Sequence, residues 1–139
     1  MHKEKWITVG FIIAGCVNFL GIPVFSRFFS NQLMMNIDAG TFSGVGLAVI
    51  MLWGLAYIAV SGSYSLIPNI SAVFALEKFF YAAVWGRWLW GHAGELNAIY
   101  AQDAITGFFY SIYGINDLLF GIFFLYVFLR VRKQKPAIS

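Results

Sequence analysis

Three ionisable residues lie deep inside apolar stretches of the chain and are its best candidates for chemistry. Glu77 and Lys78 are adjacent in one stretch, and Asp117 follows Asn116 in another. Carboxyl and ammonium groups removed from water can exchange protons, form ion pairs or bind the polar group of a ligand. Placing such a group in lipid costs about 2.5–3.5 kcal/mol on insertion scales, so residues kept there are candidates for a functional site.

Helical spacing places aromatic side chains on the same faces as the two carboxyl groups. In the first stretch Glu77, Tyr81 and Trp88 recur at helical intervals. A second set of this kind, in the other stretch, consists of Thr106, Tyr110, Tyr113 and Asp117. Each set projects to one side of its helix. If the two sides face each other, they predict an aromatic pocket with an acidic floor and Lys78 beside it.

The rise of an α-helix, about 1.5 Å per residue, places these groups at similar depths. Asp117 lies about 20 Å before Arg130, and Glu77 and Lys78 lie about 12 Å into their helix. Asn18 lies about 18 Å into the first apolar stretch. We expect Lys78 to reach Asp117 across the helix interface. Glu77 points elsewhere on its helix and is expected to hydrogen-bond to a polar group such as Asn18, or to be protonated.

Composition determines the elements that must position these residues. Of the 139 residues, 60% are hydrophobic and only 11% are charged, whereas soluble proteins average about 25% charged residues. A soluble domain of this size could not bury that much apolar surface. Helical segments of about twenty residues span a hydrocarbon core of ~30 Å, and the apolar runs cover about 6–25, 43–62, 70–90 and 104–129. The chain is therefore predicted to be an all-α polytopic membrane protein, one four-transmembrane-helix bundle over 1–139.

Basic residues predict the orientation of the four spans. Lys3 and Lys5 precede the first span, and four more follow the last: Arg130, Arg132, Lys133 and Lys135. Because basic residues stay in the cytoplasm, both termini are expected there, which in a bacterium means an inner (plasma) membrane protein. The first run is expected to be a retained helix, since it is longer than the apolar region of a signal peptide and no A-x-A site follows it.

Two arginines, Arg27 and Arg87, border the longer connections between spans. Each is interpreted either as an interfacial anchor or as a group that captures an anion or a lipid headgroup. The connection 27–42 is partly apolar and is expected to lie along the membrane interface.

Several other side chains indicate packing rather than chemistry. Cys16 is expected to be a small core residue rather than a reactive thiol. Trp53 and Tyr57 form an aromatic row that is expected to face lipid or a partner. Close helix approach is expected at two pairs of small residues, Gly44 with Ala48 and Gly114 with Gly121.

No residue pattern names a reaction, so no catalytic residue is assigned. The chain lacks a nucleotide-binding glycine loop, zinc-protease and serine-hydrolase motifs, and paired cysteines. His2 and His92 stand far apart, so neither a metal site nor a haem or other cofactor is expected. The net charge of +3 comes from basic residues at the termini, so no nucleic-acid partner is expected.

Three functions stand beside a purely structural role for the charged cluster, in which it holds the helices in register. The leading hypothesis is a non-enzymatic protein that binds a hydrophobic small molecule, a lipid or a membrane-protein partner in the cavity between helices. The second is a small proton-linked transporter or channel, expected to be a homo-oligomer because one bundle offers little room for a solute. The third is a membrane isomerase-type enzyme that uses the buried carboxyl groups as acid and base. Membrane lipids are expected partners in every case.

Overall fold

The computed structural model describes residues 3–135, and helices account for most of them. In chain order the α-helices are α1 (Lys5–Phe25), α2 (Gln32–Ile37), α3 (Ala39–Phe42), α4 (Gly44–Val60), α5 (Pro68–His92), α6 (Leu96–Gln102) and α7 (Ala104–Gln134). A 3-10 turn, Ala93–Glu95, joins α5 to α6. No strand occurs within 3–135, and the predicted all-α class is confirmed.

The long helices α1, α4, α5 and α7 follow the four apolar runs, and local chemistry determines where they begin. The Ser43 hydroxyl accepts a hydrogen bond from the Gly46 amide and caps α4. Pro68 begins α5, where its fixed φ suits the first turn and its missing amide hydrogen has no partner to lose. The last helix continues past the predicted end at 129 to Gln134, because the basic residues there remain compatible with a helix.

The two longer connections, predicted as loops, contain short helices. Asn31 caps α2 by accepting a hydrogen bond from the Met34 amide, and Asp38 caps α3 in the same way from the Thr41 amide. Such caps satisfy amides that would otherwise lack a partner, so helices of one or two turns can form between the long ones.

The long helices form two antiparallel pairs, α1 with α4 and α5 with α7. The first pair is closest where Gly15 faces Gly54. A Cβ atom on Gly15 would lie 2.6 Å from the Gly54 carbonyl oxygen, so the two backbones approach as closely as two glycines allow. The close approach predicted at Gly44 is wrong: a Cβ there would meet nothing nearer than the Met35 methyl group at 4.0 Å.

The glycines of α7 make room for aromatic rings of α5. Gly114 lies against the indole of Trp85, and Gly121 lies against the ring of Phe79. The close helix approach predicted at Gly114 and Gly121 is therefore present. The groups that lie against these glycines are side chains of α5 rather than its backbone.

Contacts at the two ends of the protein show how the helices are arranged. At one end the Glu4 amide donates to the Tyr64 hydroxyl at 2.8 Å, and Arg130 Nε donates to Glu4 Oε1 at 2.6 Å. We call this the terminal end. At the opposite end, the loop end, Arg27 binds Asp103 at 2.8 Å. The long helices therefore run alternately between the two ends.

The core consists of two aromatic-rich clusters, one towards each end. Buried members of the terminal-end cluster include Phe11, Tyr57, Tyr64, Phe74 and Phe124. Buried members of the loop-end cluster include Met34, Phe42, Leu47, Tyr110 and Tyr113. The prediction that Tyr57 faces outwards is wrong, because its side chain is fully buried, and Trp53 packs edge-on against Phe74.

Two of the described helices, α1 and α7, are long and apolar enough to cross a membrane on length and composition alone. Helix α4 is apolar but shorter, and α5 is less apolar because it carries Glu77, Lys78 and Arg87.

Candidate functional site

Lys78 is the centre of a buried polar network that joins the four long helices. Its ammonium nitrogen lies 2.7 Å from Asp117 Oδ1 on α7, which confirms the predicted pair. It also donates to Asn18 Oδ1 on α1 at 2.9 Å, and the Asn18 amide nitrogen donates to the Ile50 carbonyl of α4 at 3.2 Å. Asn116 donates to the same Asp117 oxygen at 3.3 Å. With Lys78 only 1% exposed, direct partners rather than water stabilise its charge.

Glu77 belongs to the same region but has a different partner from the one expected. The Tyr57 hydroxyl of α4 donates to Glu77 Oε2, so Glu77 binds a polar group as expected, but that group is Tyr57 and not Asn18. Asn18 is unavailable to Glu77 because Lys78 and the α4 backbone occupy it. The second carboxyl oxygen, Oε1, is buried and has no hydrogen-bond partner among the described residues.

A cavity of about 470 Å³ lies between α1 and α7 and reaches this network. We call it the α1–α7 cavity. Its polar lining residues are Asn18, Glu77, Lys78, Tyr81, Tyr113, Asn116 and Asp117. The rest of its wall is mostly apolar and includes Cys16, Val17, Leu20, Gly21, Ile22, Val24, Phe25, Phe42, Ile50, Phe109 and Ile112. One end of the cavity is thus polar and charged, and its walls are apolar and aromatic.

The cavity opens to the protein surface along α1 and α7. Towards the terminal end these helices are closed together, with the Phe123 ring against Gly10. Towards the loop end the ring of Phe25 stacks on Phe108 at 6.0 Å between centroids. Between these two closures the lining residue Leu20 is 58% exposed, so the apolar wall continues onto the outer surface.

Two residues that line the cavity each carry a fully buried polar atom without a partner among the described residues. The two atoms are Glu77 Oε1 and the hydroxyl oxygen of Tyr113. A buried polar atom left unpaired costs about 1–3 kcal/mol, so such atoms beside a cavity favour the binding of a ligand whose polar group can reach them. Tyr113 lies in the loop-end cluster, and its ring packs against Phe42 and Phe109.

The predicted tyrosine face of α7 divides between two environments. Tyr113 and Asp117 line the cavity, as does Tyr81 of α5. Tyr110 instead donates to the Met34 carbonyl at 2.7 Å and joins α7 to α2. Trp88, predicted on the face of Glu77, is buried against Tyr110 rather than in the cavity.

The loop end has a polar network of its own, built on Arg27. Two guanidinium nitrogens donate to the Asp103 carboxylate at 3.0 and 2.8 Å, and Thr106 donates to the same carboxylate at 2.6 Å. The Arg27 hydrogen bond, followed by that of Thr106, holds the pKa of Asp103 well below its usual range. Asn31 donates to Thr106 at 2.9 Å and to the Phe25 carbonyl at 2.9 Å, which ties this network to the end of α1.

Arg27 is presented by an unusual turn after α1. Arg27, Phe28 and Phe29 have φ values of 48°, 54° and 66°, a left-handed conformation that side chains with a Cβ disfavour. The Phe29 amide donates to the Ser26 hydroxyl at 3.0 Å, and the Ser30 hydroxyl donates to the Arg27 carbonyl at 2.6 Å. These bonds hold the turn and direct Arg27 to Asp103.

The two arginines considered for headgroup capture therefore differ. Arg27 is engaged by Asp103, whereas Arg87 is exposed and has no ion pair with a residue in 3–135. Cys16, expected in the core, is half-buried at the wall of the cavity. His2 lies outside the described residues, and within 3–135 no three His, Cys, Asp or Glu side chains converge as a metal site.

Comparison with known proteins adds no relative: no protein-family model matches the chain, and neither the curated proteins nor the solved structures contain a match.

Proposed function

We propose that this chain spans a membrane four times and binds a lipophilic molecule with a polar group in the α1–α7 cavity. One observation carries the binding proposal. The cavity combines apolar walls that reach the protein surface with polar lining residues, two of which, Glu77 and Tyr113, carry a buried oxygen without a partner among the described residues.

The distribution of side chains supports a membrane as the surroundings of the long helices. Large apolar side chains cover their outer surfaces, and those more than half exposed include Leu20, Val45, Leu52, Leu76, Phe80, Leu119 and Ile122. Patches of this extent are unfavourable in water and favourable against acyl chains. The terminal end holds six of the nine basic residues, namely Lys3, Lys5, Arg130, Arg132, Lys133 and Lys135. This asymmetry favours a cytoplasmic terminal end.

The shape of the cavity fits a ligand that arrives from the acyl chains. Its opening lies between α1 and α7, beside Leu20 and Val24, which are 58% and 63% exposed. A molecule dissolved in the bilayer could enter sideways and place its polar group beside Glu77 and Lys78. The volume of about 470 Å³ lies within the usual range of small-molecule sites, roughly 300–1,000 Å³.

The packing of the terminal half favours binding over conduction by a single chain. Beyond the ion pair, Phe11, Tyr57, Phe74 and Phe124 are each at most 2% exposed and fill the space between the helices. Phe74 and Phe124 lie 5.4 Å apart between ring centroids, in edge contact. A polar solute would have to displace these rings to pass from the cavity to the terminal end.

Glycines offer a matched pair of variants that tests the binding site. A Cβ on Gly21, which lines the cavity, or on Gly86, outside it on α5, would meet nothing within 4 Å. Gly21→Phe should fill the cavity mouth, and Gly86→Phe should add the same ring to the helix surface. The purified proteins in nanodiscs would be titrated with dodecanol, dodecanoate and dodecylammonium while the unfolding temperature is measured.

We expect at least one of these compounds to raise the unfolding temperature of the unmodified protein and of Gly86→Phe, with saturation, but not that of Gly21→Phe. Equal shifts in all three proteins would indicate general partition into the bilayer. That result, or no shift with any compound, would remove the cavity as a binding site.

A further inference from the structure

The charges around the α1–α7 cavity balance within the described residues only when one of the two buried carboxyl groups is protonated. Glu77, Lys78 and Asp117 are each at least nine-tenths buried. The single ammonium group binds Asp117 at 2.7 Å and Asn18 at 2.9 Å. With both carboxyl groups ionised, the cluster holds one negative charge more than it has positive charges.

Glu77 is the group left without a counter-ion. Its Oε2 atom accepts a hydrogen bond from the neutral Tyr57 hydroxyl, and Oε1 accepts none from the described part of the chain. No Lys, Arg or His nitrogen within 3–135 lies in salt-bridge distance of either oxygen, since the ion pairs found involve other carboxylates. A buried carboxylate of this kind is costly unless a cation or further donors reach it.

Aromatic side chains line much of the cavity that reaches Glu77. Among its lining residues are the rings of Phe25, Phe42, Tyr81, Phe109 and Tyr113. The faces of such rings attract cations, most strongly when water is excluded. Lys78 is the one basic side chain among the lining residues, and its ammonium group is already bound to Asp117 and Asn18.

From these observations we propose that the ligand of the cavity is a lipophilic ammonium compound, with one positive nitrogen on an apolar body. The nitrogen donates to Glu77 Oε1, and the apolar body lies along the α1 and α7 walls towards the opening. The bound cation balances the charge of the cluster without displacing Lys78 from Asp117. This inference rests on the proposed function and names the chemical class of its ligand.

Cys16 provides a native reporter for the test, since it is the only cysteine of the chain and lies on the cavity wall. The rate of its alkylation by N-ethylmaleimide would be measured in nanodiscs at neutral pH against increasing dodecylammonium, dodecanol or dodecanoate. The three compounds have the same chain and differ in charge. Half-protecting concentrations would be compared for the unmodified protein, Glu77→Gln and Glu95→Gln.

The two carboxyl variants remove the same charge in different places. Glu77→Gln keeps an oxygen that can accept the Tyr57 hydroxyl bond, which preserves the fold around it. Glu95 lies exposed in the connection before α6, so Glu95→Gln controls for general attraction of ammonium to an acidic protein.

Dodecylammonium should protect Cys16 at a concentration at least about tenfold lower than dodecanol does, given the strength of hydrogen bonds to charged groups. Glu77→Gln should abolish that preference, and Glu95→Gln should retain it. If dodecanol or dodecanoate protects as well as the ammonium compound, or if Glu77→Gln keeps the preference, the charge assignment is overturned while the cavity remains a binding site. If no compound protects Cys16, the binding function itself fails.

Discussion

At the residue scale, Lys78 is the group whose loss should disturb the protein most. Lys78→Met would leave Asp117 buried without its partner at 2.7 Å, whereas Lys78→Met with Asp117→Leu removes both charges. Breaking one side of a buried ion pair typically costs about 3–5 kcal/mol, and replacing both sides is often tolerated. We therefore expect the single variant to unfold at a lower temperature than the double variant, in a thermal unfolding assay in detergent.

Lys133→Met is the control for this comparison, because Lys133 is exposed at the terminal end and its replacement should leave the unfolding temperature almost unchanged. Equal losses in the single and double variants would contradict energetic coupling between Lys78 and Asp117.

Asp103 predicts a pH dependence at the loop end. Its pKa in the folded protein is lowered, mainly by the hydrogen bond from Arg27 and next by that from Thr106. Because the pKa of Asp103 is lower in the folded protein, its ionised form stabilises the fold. This stabilisation is complete above the pKa of the unfolded chain, about 3.9, and is lost as the pH falls towards the pKa of the folded protein. The difference in unfolding temperature between the unmodified protein and Asp103→Asn should therefore be constant from pH 8 to about pH 5 and shrink below about pH 4.

The matched variant for this titration is Asp38→Asn, which removes another loop-end carboxylate that has no ion pair within 3–135. A difference that instead fades between pH 8 and pH 6 would mean that another group, not Asp103, carries the dependence.

Part of the charged cluster could be predicted from the sequence. The pair Lys78–Asp117 was predictable, because both residues lie in apolar helices at depths that helical rise can estimate. The bond from Tyr57 to Glu77 was not. Tyr57 lies in a helix that is apolar on every side, so its spacing does not reveal which face turns inward.

At the element scale, the crossing of α1 and α4 depends on two glycines. A Cβ on Gly54 would lie 2.7 Å from the Gly15 carbonyl oxygen. Because both groups belong to helix backbones, neither can move aside without shifting its helix. Gly54→Ala should therefore separate the helices and cost about 1–3 kcal/mol, as overpacking usually does. The free energy of unfolding by a denaturing detergent would measure this.

Gly86→Ala is the matched control, because its new methyl group would lie in open space on an exposed part of α5. It should be neutral or stabilising by up to about 1 kcal/mol, since alanine favours a helix over glycine. A Gly54→Ala protein as stable as Gly86→Ala would show that the two helices can separate without loss.

The elements themselves were largely predictable, and their contacts were not. For most ends of the four long helices, the apolar runs predicted the boundary to within a few residues, because the length of a hydrophobic run is a strong signal. The Gly15–Gly54 crossing could not be predicted, since nothing in a single sequence tells which of its 14 glycines contact each other. The short helices α2, α3 and α6 depend on local caps such as that of Asn31 and on packing against the long helices.

At the scale of the whole molecule, the two halves of the protein differ in packing and in charge. The terminal half is filled by aromatic rings and carries most of the basic residues, whereas the cavity runs from the middle of the protein into the loop half, where the Arg27–Asp103 pair joins two connections. Under the proposed orientation, the polar site lies near the middle of the bilayer, and the cavity opening beside Leu20 and Val24 lies in its outer leaflet, away from the cytoplasm. A ligand would then enter from that outer leaflet rather than from the leaflet beside the basic terminal end.

This orientation can be tested with two exposed glycines at opposite ends. Gly62 lies in the turn between α4 and α5, Gly94 lies before α6, and a Cβ on either would meet nothing within 4 Å. In a Cys16→Ser background, Gly94→Cys should react with a membrane-impermeant maleimide added to intact cells. Gly62→Cys should react only after the membrane is opened, because positively charged segments stay on the cytoplasmic side. The reverse labelling pattern would indicate four spans in the opposite orientation. Equal labelling of both cysteines in intact cells would contradict a membrane between the two ends.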